Sequence, residues 1–278
     1  MRDEKNHMPL IFGTAGVPHA SIVRSTIEGI KTIRRLGLDA MEVQFVRGVK
    51  MGDDTAVEAG KISEYLNVVL SVHAPYYINL NAEGQKKDES IERIVNSART
   101  GSLMKAENIV FHPGFYLKYS KEKTYERIKK SLQLALNRIE EMNLDVMLRP
   151  ESTGKPKQFG ELDELLKLCY ELNIMPCIDF SHIHARYGRY NSYSEFCEII
   201  EKVSSIGDEA IKNMHIHISG IDYSLKGEKS HLNLENSDFN YRELLMALKD
   251  LKTNGIVICE SPNLEEDAIL LKNEYKNL

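Results

Sequence analysis

Eight short apolar runs punctuate the chain, and longer amphipathic stretches separate them. The runs are LIFGTA (10–15), AMEVQF (40–45), VVLSVHA (68–74), NIVFHP (108–113), DVMLRPE (145–151), IMPCID (174–179), NMHIHIS (213–219) and GIVICE (255–260). Each is rich in Val, Ile, Leu, Met or Phe without strict polar alternation, as expected of strands buried on both faces. Between them, Leu162, Leu165, Leu166, Cys169 and Leu172 fall at helical spacing with Glu and Lys interleaved. The same spacing runs through Ile128, Leu132, Leu136 and Ile139 in the segment 121–142. Strands alternating with helices of this length predict βαβ units and a parallel sheet. Eight units in uninterrupted succession favour the α/β class with a single closed (β/α)₈ TIM barrel over an open doubly wound sheet. No GxGxxG follows the first run, so dinucleotide binding loses its main support. No Pro/Gly-rich linker or composition shift marks a domain boundary. Residues 1–7 are expected to form a polar N-terminal tail, and residues 8–278 one barrel domain.

Length and composition agree with that expectation. The 278 residues lie near the roughly 250 typical of one such barrel. No stretch approaches 18 consecutive apolar residues, and MRDEKNHMPLIF lacks the apolar core of a signal peptide, so no membrane association is expected. Cys169, Cys177, Cys197 and Cys259 are scattered without CxxC spacing. They read as small buried residues of a cytoplasmic protein, not as a disulfide framework or a thiolate metal site. A monomer is expected. The net charge of −5 by itself argues against a nucleic-acid partner. Three divalent cations held by the acidic residues would add +6 and turn −5 into +1.

The chemistry-bearing residues are not scattered. His73 ends the third run, His112 the fourth, Glu151 the fifth and Asp179 the sixth, with His182 just past it. His217 lies near the end of the seventh, Glu260 ends the eighth, and His231 sits in the long segment between those two. A barrel brings the C-terminal ends of all its strands to one face, where catalytic residues sit. A lone strand-end His is more often structural than a ligand, and a strand-end carboxylate often caps a helix. Seven matches at strands three to eight point instead to one shared metal site. Imidazole and carboxylate donors suit zinc and its neighbours, and a carboxylate can bridge two ions. Such ions make hydroxide available near neutral pH and hold a phosphate, so hydrolysis is the expected chemistry. His7 and His19 lack this placement and read as surface residues, whereas His215 faces the same side as His217 one layer deeper.

The motifs HAPYYINL (73–80), FHPG (111–114), RPESTGK (149–155), CIDFSHIHARYG (177–188) and the HIS of 217–219 resemble those of the endonuclease IV family of apurinic/apyrimidinic endonucleases, within the xylose isomerase-like barrels. The resemblance spans about residues 10 to 275. It implies up to three Zn²⁺ ions, with Mn²⁺ admissible at one site. By resemblance, His73, His112 and Glu151 hold one ion. Glu151, Asp179, His217 and Glu260 hold a second, with Glu151 the bridging and catalytic carboxylate. His182 and His231 hold a third. The family motif adds an Asp two residues before that last His, where this chain has Lys229, and Glu228 is the nearest replacement. The resemblance further implies a partner, double-stranded DNA containing abasic sites, with Tyr76 and Arg47 as DNA-contacting residues. Lys155, Lys157, Arg186 and Arg189 are expected to line a phosphate track. The implied reaction is hydrolysis of the phosphodiester 5′ to an abasic site, leaving a 3′-hydroxyl, in base excision repair. The rival from the same superfamily is a sugar isomerase or epimerase, for which Glu151, Asp179, His217 and Glu260 alone would hold one Mn²⁺ or Mg²⁺. A third reading is a metal-stabilised protein that binds damaged DNA without cutting it.

Overall fold

The computed structural model of the chain describes residues 10–278. The polar tail and His7 lie outside the described residues. All eight apolar runs form strands: β1 (Ile11–Ala15), β2 (Ala40–Gln44), β3 (Val69–His73), β4 (Asn108–Phe111), β5 (Met147–Pro150), β6 (Cys177–Asp179), β7 (Met214–Ile218) and, after a hairpin, β10 (Gly255–Cys259). Helices α1 (Thr26–Arg35), α2 (Asp53–Leu66), α3 (Gln85–Leu103), α4 (Lys121–Glu141) and α5 (Leu162–Leu172) fill the first five crossovers. Three helices, α6 (Phe180–Tyr187), α7 (Tyr193–Ser204) and α8 (Glu209–Lys212), connect β6 to β7. The hairpin β8 (Gly220–Ser224) and β9 (Gly227–Leu232) precedes α9 (Tyr241–Asp250), and α10 (Glu265–Asn277) follows β10.

Every ladder among the eight main strands is parallel, in the order β5-β4-β3-β2-β1-β10-β7-β6. A parallel bridge between Glu151 and Cys177 joins the two ends and closes the barrel at its mouth. On the opposite wall, sterics set the strand spacing. A Cβ on Gly13 would lie 2.0 Å from the Ala40 carbonyl oxygen, so only glycine lets β1 approach β2 this closely.

Local signals set the helices. Ser120 caps α4 by accepting from the Lys123 amide, worth about 1 kcal/mol. Glu161 and Glu164 form a reciprocal capping box on α5, and Asn173 ends that helix in the left-handed conformation. The expected stripes face inward: Ile128, Leu132 and Ile139 of α4 and Leu162, Leu165, Leu166 and Cys169 of α5 are buried.

Alternation along each strand divides the interior. Outward residues such as Phe12, Met41, Leu70, Ile109, Leu148, Ile216 and Val257 join the helices in the main core. Inside the barrel the apolar filling is small, formed by Ala40, Ile256 and Ile258 with Ile11, Ala15 and Val69 packed on it. The rest of the lumen is polar. Arg149, fully buried, lies across the floor and donates to Asn108 Oδ1, the Pro176 carbonyl and Asn213 Oδ1. Inward positions nearer the mouth carry Glu42, Ser71, His73, Glu151, Asp179, His215 and His217, all buried.

Candidate metal centre

Strand ends position most of the donors. His73, Asp179 and His217 lie within β3, β6 and β7, while His112, Glu151 and Glu260 follow β4, β5 and β10 by one residue each. His182 stands in the first turn of α6, whose N-cap is Asp179: the carboxylate Oδ1 accepts from the His182 amide at 2.6 Å. The segment carrying His231 is not a loop but strand β9 of the hairpin, folded over the barrel mouth.

These side chains converge into overlapping donor groups. His73, His112 and Glu151 form one; Glu151, Asp179, His217 and Glu260 form another; Asp179, His182 and His231 form a third, with the donor atoms of each group within 4.8 Å of one another. Around Glu151, Oε2 lies 3.2 Å from His73 Nε2 and 3.0 Å from His112 Nε2, while Oε1 lies 3.1 Å from His182 Nδ1 and 3.5 Å from His217 Nδ1. Zinc bonds of about 2.0–2.1 Å in a tetrahedron place ligand atoms about 3.3 Å apart, close to the separations of Glu151 from His73, His112 and His217.

The imidazole tautomers follow from carbonyl partners, which can only accept. His73 Nδ1 donates to the Ala74 carbonyl, His182 Nδ1 to Ser152 and His231 Nδ1 to Glu260. In each neutral ring the lone pair is then on Nε2. The Nε2 atoms of His182 and His231 face each other at 3.3 Å, and that of His73 faces a carboxylate oxygen. Lone pairs aimed at lone pairs repel unless a cation lies between them. Among the described residues, Glu151 Oε1, Asp179 Oδ2 and His217 Nδ1 are buried without a well-aligned hydrogen bond, and all three belong to the group with Glu260. The residues therefore fit divalent metal.

Charge reports the same demand. Burial favours the neutral form of His182, yet Asp179, Glu151 and Glu228 outweigh it and hold its pKa well above the ordinary imidazole value. His217 is raised likewise against burial, with Cys177, Glu260, Glu42 and Glu151 around it, and His73 is raised by Glu151, Glu42 and Glu260. Burial and the neighbouring carboxylates push Asp179 up to about 6, whereas the histidines around Glu151 overcome its burial and hold it well below the usual carboxylate range. Positive charge is wanted at the centre, as protons or as metal.

Lys229 lies at an irregularity of the hairpin. The hairpin register shifts between Asp222 and Tyr223, so that Tyr223 pairs with Glu228 and Asp222 with Ser230. Lys229 is the extra residue of this bulge and turns outward to Asp222, with Nζ to Oδ1 at 3.3 Å. Glu228 and His231 are three positions apart, which would place them on opposite faces of a regular strand. The bulge returns both to one face: Glu228 Oε2 lies 3.6 Å from His182 Nε2. A Cβ on Gly154 would come within 2.7 Å of Glu228 Cβ and 3.2 Å of His182 Cδ2, so this glycine gives the group its room.

At the mouth, Tyr76 is 48% exposed, with its ring 5.2 Å from that of His73. Its hydroxyl donates to Gln44 Oε1 at 3.4 Å. Arg47 is exposed on the neighbouring loop, which accepts the Tyr76 amide at the Val46 carbonyl. The expected phosphate track is only partly free. Arg186 donates to the carbonyls of Thr153, Lys155 and Gln158 and so shapes the loop after β5. Lys155 faces Glu228, and Arg189 stacks on Tyr190.

Sequence reasoning missed Glu42. It is fully buried on the inward face of β2, 3.0 Å from His215 Nε2 and 3.3 Å from His217 Nε2. Despite burial, these histidines hold its pKa far below the usual carboxylate range. Burial pulls His215 down to about 4, so it is neutral and donates to Glu42. The signal was a charged residue inside an apolar strand.

Comparison with known proteins follows the same lines. A family model described as xylose isomerase-like TIM barrel matches residues 30–274. The chain is 53% identical over 272 residues to an uncharacterized protein, MJ0133, of Methanocaldococcus jannaschii, covering 97% of this chain and 98% of that one. A probable endonuclease 4 of Mycoplasma mobile is 27% identical over 71% of this chain and 70% of its own length. Among solved structures, an endonuclease IV from Thermus thermophilus superposes with a TM-score of 0.76 at 18% identity, over 96% of this chain and all (100%) of that one. A D-tagatose 3-epimerase-like protein superposes with a TM-score of 0.74 at 19% identity, over 96% of each chain.

Proposed function

The chain belongs to the xylose isomerase-like TIM barrel family, and on that premise we propose that it is a zinc-dependent apurinic/apyrimidinic endonuclease. It hydrolyses the DNA phosphodiester 5′ to an abasic site and leaves a 3′-hydroxyl, as base excision repair requires. The observation that carries this reading is the second set of donors. His73, His112, His182 and His231 surround the four-donor group of Glu151, Asp179, His217 and Glu260, which a single-metal enzyme would not need. Relatives named endonuclease 4 support the choice of substrate.

His73, His112 and Glu151 would hold one ion, Glu151, Asp179, His217 and Glu260 a second, and His182 and His231 with Glu228 a third. Bound there, divalent zinc supplies activated water at neutral pH and neutralises charge on the phosphate and the leaving oxygen. The chain's residues do the positioning. Glu151 spans the first two groups with one oxygen toward each. The carbonyls of Ala74, Ser152 and Glu260 fix the rings of His73, His182 and His231 with Nε2 toward the centre. Arg47 holds a backbone phosphate, and the half-exposed Tyr76 fills the gap left by the missing base. Selectivity comes from mechanics: a nucleotide without a base costs little to unstack and turn into the pocket. The barrel acts as one catalytic domain.

Zinc-loaded protein is expected to nick an abasic duplex, to leave the matched intact duplex largely uncut, and to stop when EDTA is added. Nicking that survives prolonged chelation would refute this. The second reading is a sugar isomerase or epimerase, favoured by the completeness of the Glu151, Asp179, His217 and Glu260 group for one ion. Metal-replete protein that binds one ion and converts a ketose or aldose, but never DNA, would establish it instead.

A further inference from the structure

We infer that Glu42 is the positioning residue of the metal centre: its carboxylate takes the Nε2–H of His217 and thereby turns that ring's Nδ1 lone pair to the metal donors. The inference rests on the reading of His217 as a ligand. Nδ1 of His217 lies 3.5 Å from Glu151 Oε1 and 3.6 Å from Glu260 Oε2, while Nε2 lies 3.3 Å from Glu42. The two sides of the ring are thus distinct. With the opposite tautomer, the Nε2 lone pair would face a buried carboxylate that cannot donate, which is repulsive. With Nε2 protonated, Glu42 both fixes the ring and raises the basicity of Nδ1, the role a carboxylate plays behind many metal-bound histidines.

Glu42 is itself held in place. The Ser71 hydroxyl donates to Oε2 at 3.2 Å, the Gln44 amide to Oε1 at 3.0 Å and His215 Nε2 to Oε2 at 3.0 Å. Each of these neighbours supplies a proton, so the carboxylate acts purely as acceptor. The contact with Gln44 also sets that amide's orientation, leaving Oε1 to accept the Tyr76 hydroxyl. One strand thereby connects His217 on β7 with the tyrosine at the rim.

Glu42→Gln tests the assignment. The amide is nearly the same size but carries no charge and offers one acceptor oxygen in place of two, so its hold on the His217 Nε2–H is weakened. Titration with zinc against a chelating dye is expected to show one ion weakened about 10- to 100-fold, with the others unchanged and the circular dichroism spectrum preserved. In zinc-loaded wild-type protein, imidazole ¹⁵N NMR should show His217 with metal on Nδ1 and hydrogen on Nε2. Should the variant fail to fold, this wild-type measurement decides alone. Metal on Nε2, or a folded Glu42→Gln that binds every ion as tightly as wild type, overturns the assignment while leaving the functional reading intact. Wild-type protein that takes up no zinc overturns both.

Discussion

Replacing Glu228 with glutamine should release one ion and leave the others bound. The carboxylate is 15% exposed, and its Oε2 lies 3.6 Å from His182 Nε2. At that distance a unit charge pair is worth about 5 kcal/mol at an effective dielectric constant of about 20. Lys155 Nζ, 3.5 Å from Oε1, competes for the same carboxylate and offsets part of this. The remaining solvent access and the cost of desolvating the ion take more. A net loss of roughly 2–4 kcal/mol follows, a weakening of about 30- to 1000-fold in dissociation constant. Equilibrium dialysis at fixed free zinc, read by atomic absorption, should show the stoichiometry falling by one per chain. Abasic-site nicking should fall with it, and thermal unfolding of the metal-free protein should change little. Unchanged affinity at all sites would refute the account of the hairpin bulge. Loss of every ion at once would show that Glu228 does not belong to a separate group.

The other predictions concern the shared carboxylate, pH and DNA. Glu151→Gln should lose both ions of the first two groups together with activity, because its two oxygens face four histidine nitrogens; full metal content and turnover in that variant would reject the bridging role. His73, His182 and His217 have raised pKa values in the folded, metal-free protein. Their protonated forms therefore stabilise that state fully below the ordinary value near 6.5, and this contribution is lost as pH rises through the folded pKa. Zinc must displace those protons, so the zinc-induced rise in melting temperature should be larger at pH 8 than at pH 6, with proton release detectable by calorimetry in buffers of different ionisation enthalpy; a shift independent of pH would contradict this. Arg47→Ala should weaken binding to an abasic duplex and lower the salt dependence by about one phosphate contact without altering metal content; an unchanged salt slope would remove Arg47 from the interface.

The fold and much of the candidate centre were legible in the chain because their signals are local. Each apolar run reports a strand buried on both faces, and each strand end in a barrel must point to the same rim. Residues as distant as His73 and Glu260 could therefore be assigned to one pocket without knowing any contact between them. Contacts that depend on register and on opposite walls of the barrel were not legible. Glu42 meets His215 and His217 across 173 and 175 residues of sequence, and nothing near Glu42 announces partners on β7. Glu228 shares a face with His231 only because a bulge at Lys229 resets the alternation, and spacing alone places the two on opposite sides. Arg186 reads in the sequence as part of a phosphate track, yet the fold turns it onto backbone carbonyls. Residue type and position thus determined which donors reach the mouth. Tertiary packing alone decided which atom of each donor faces the centre, because only neighbouring carbonyls and carboxylates select a tautomer.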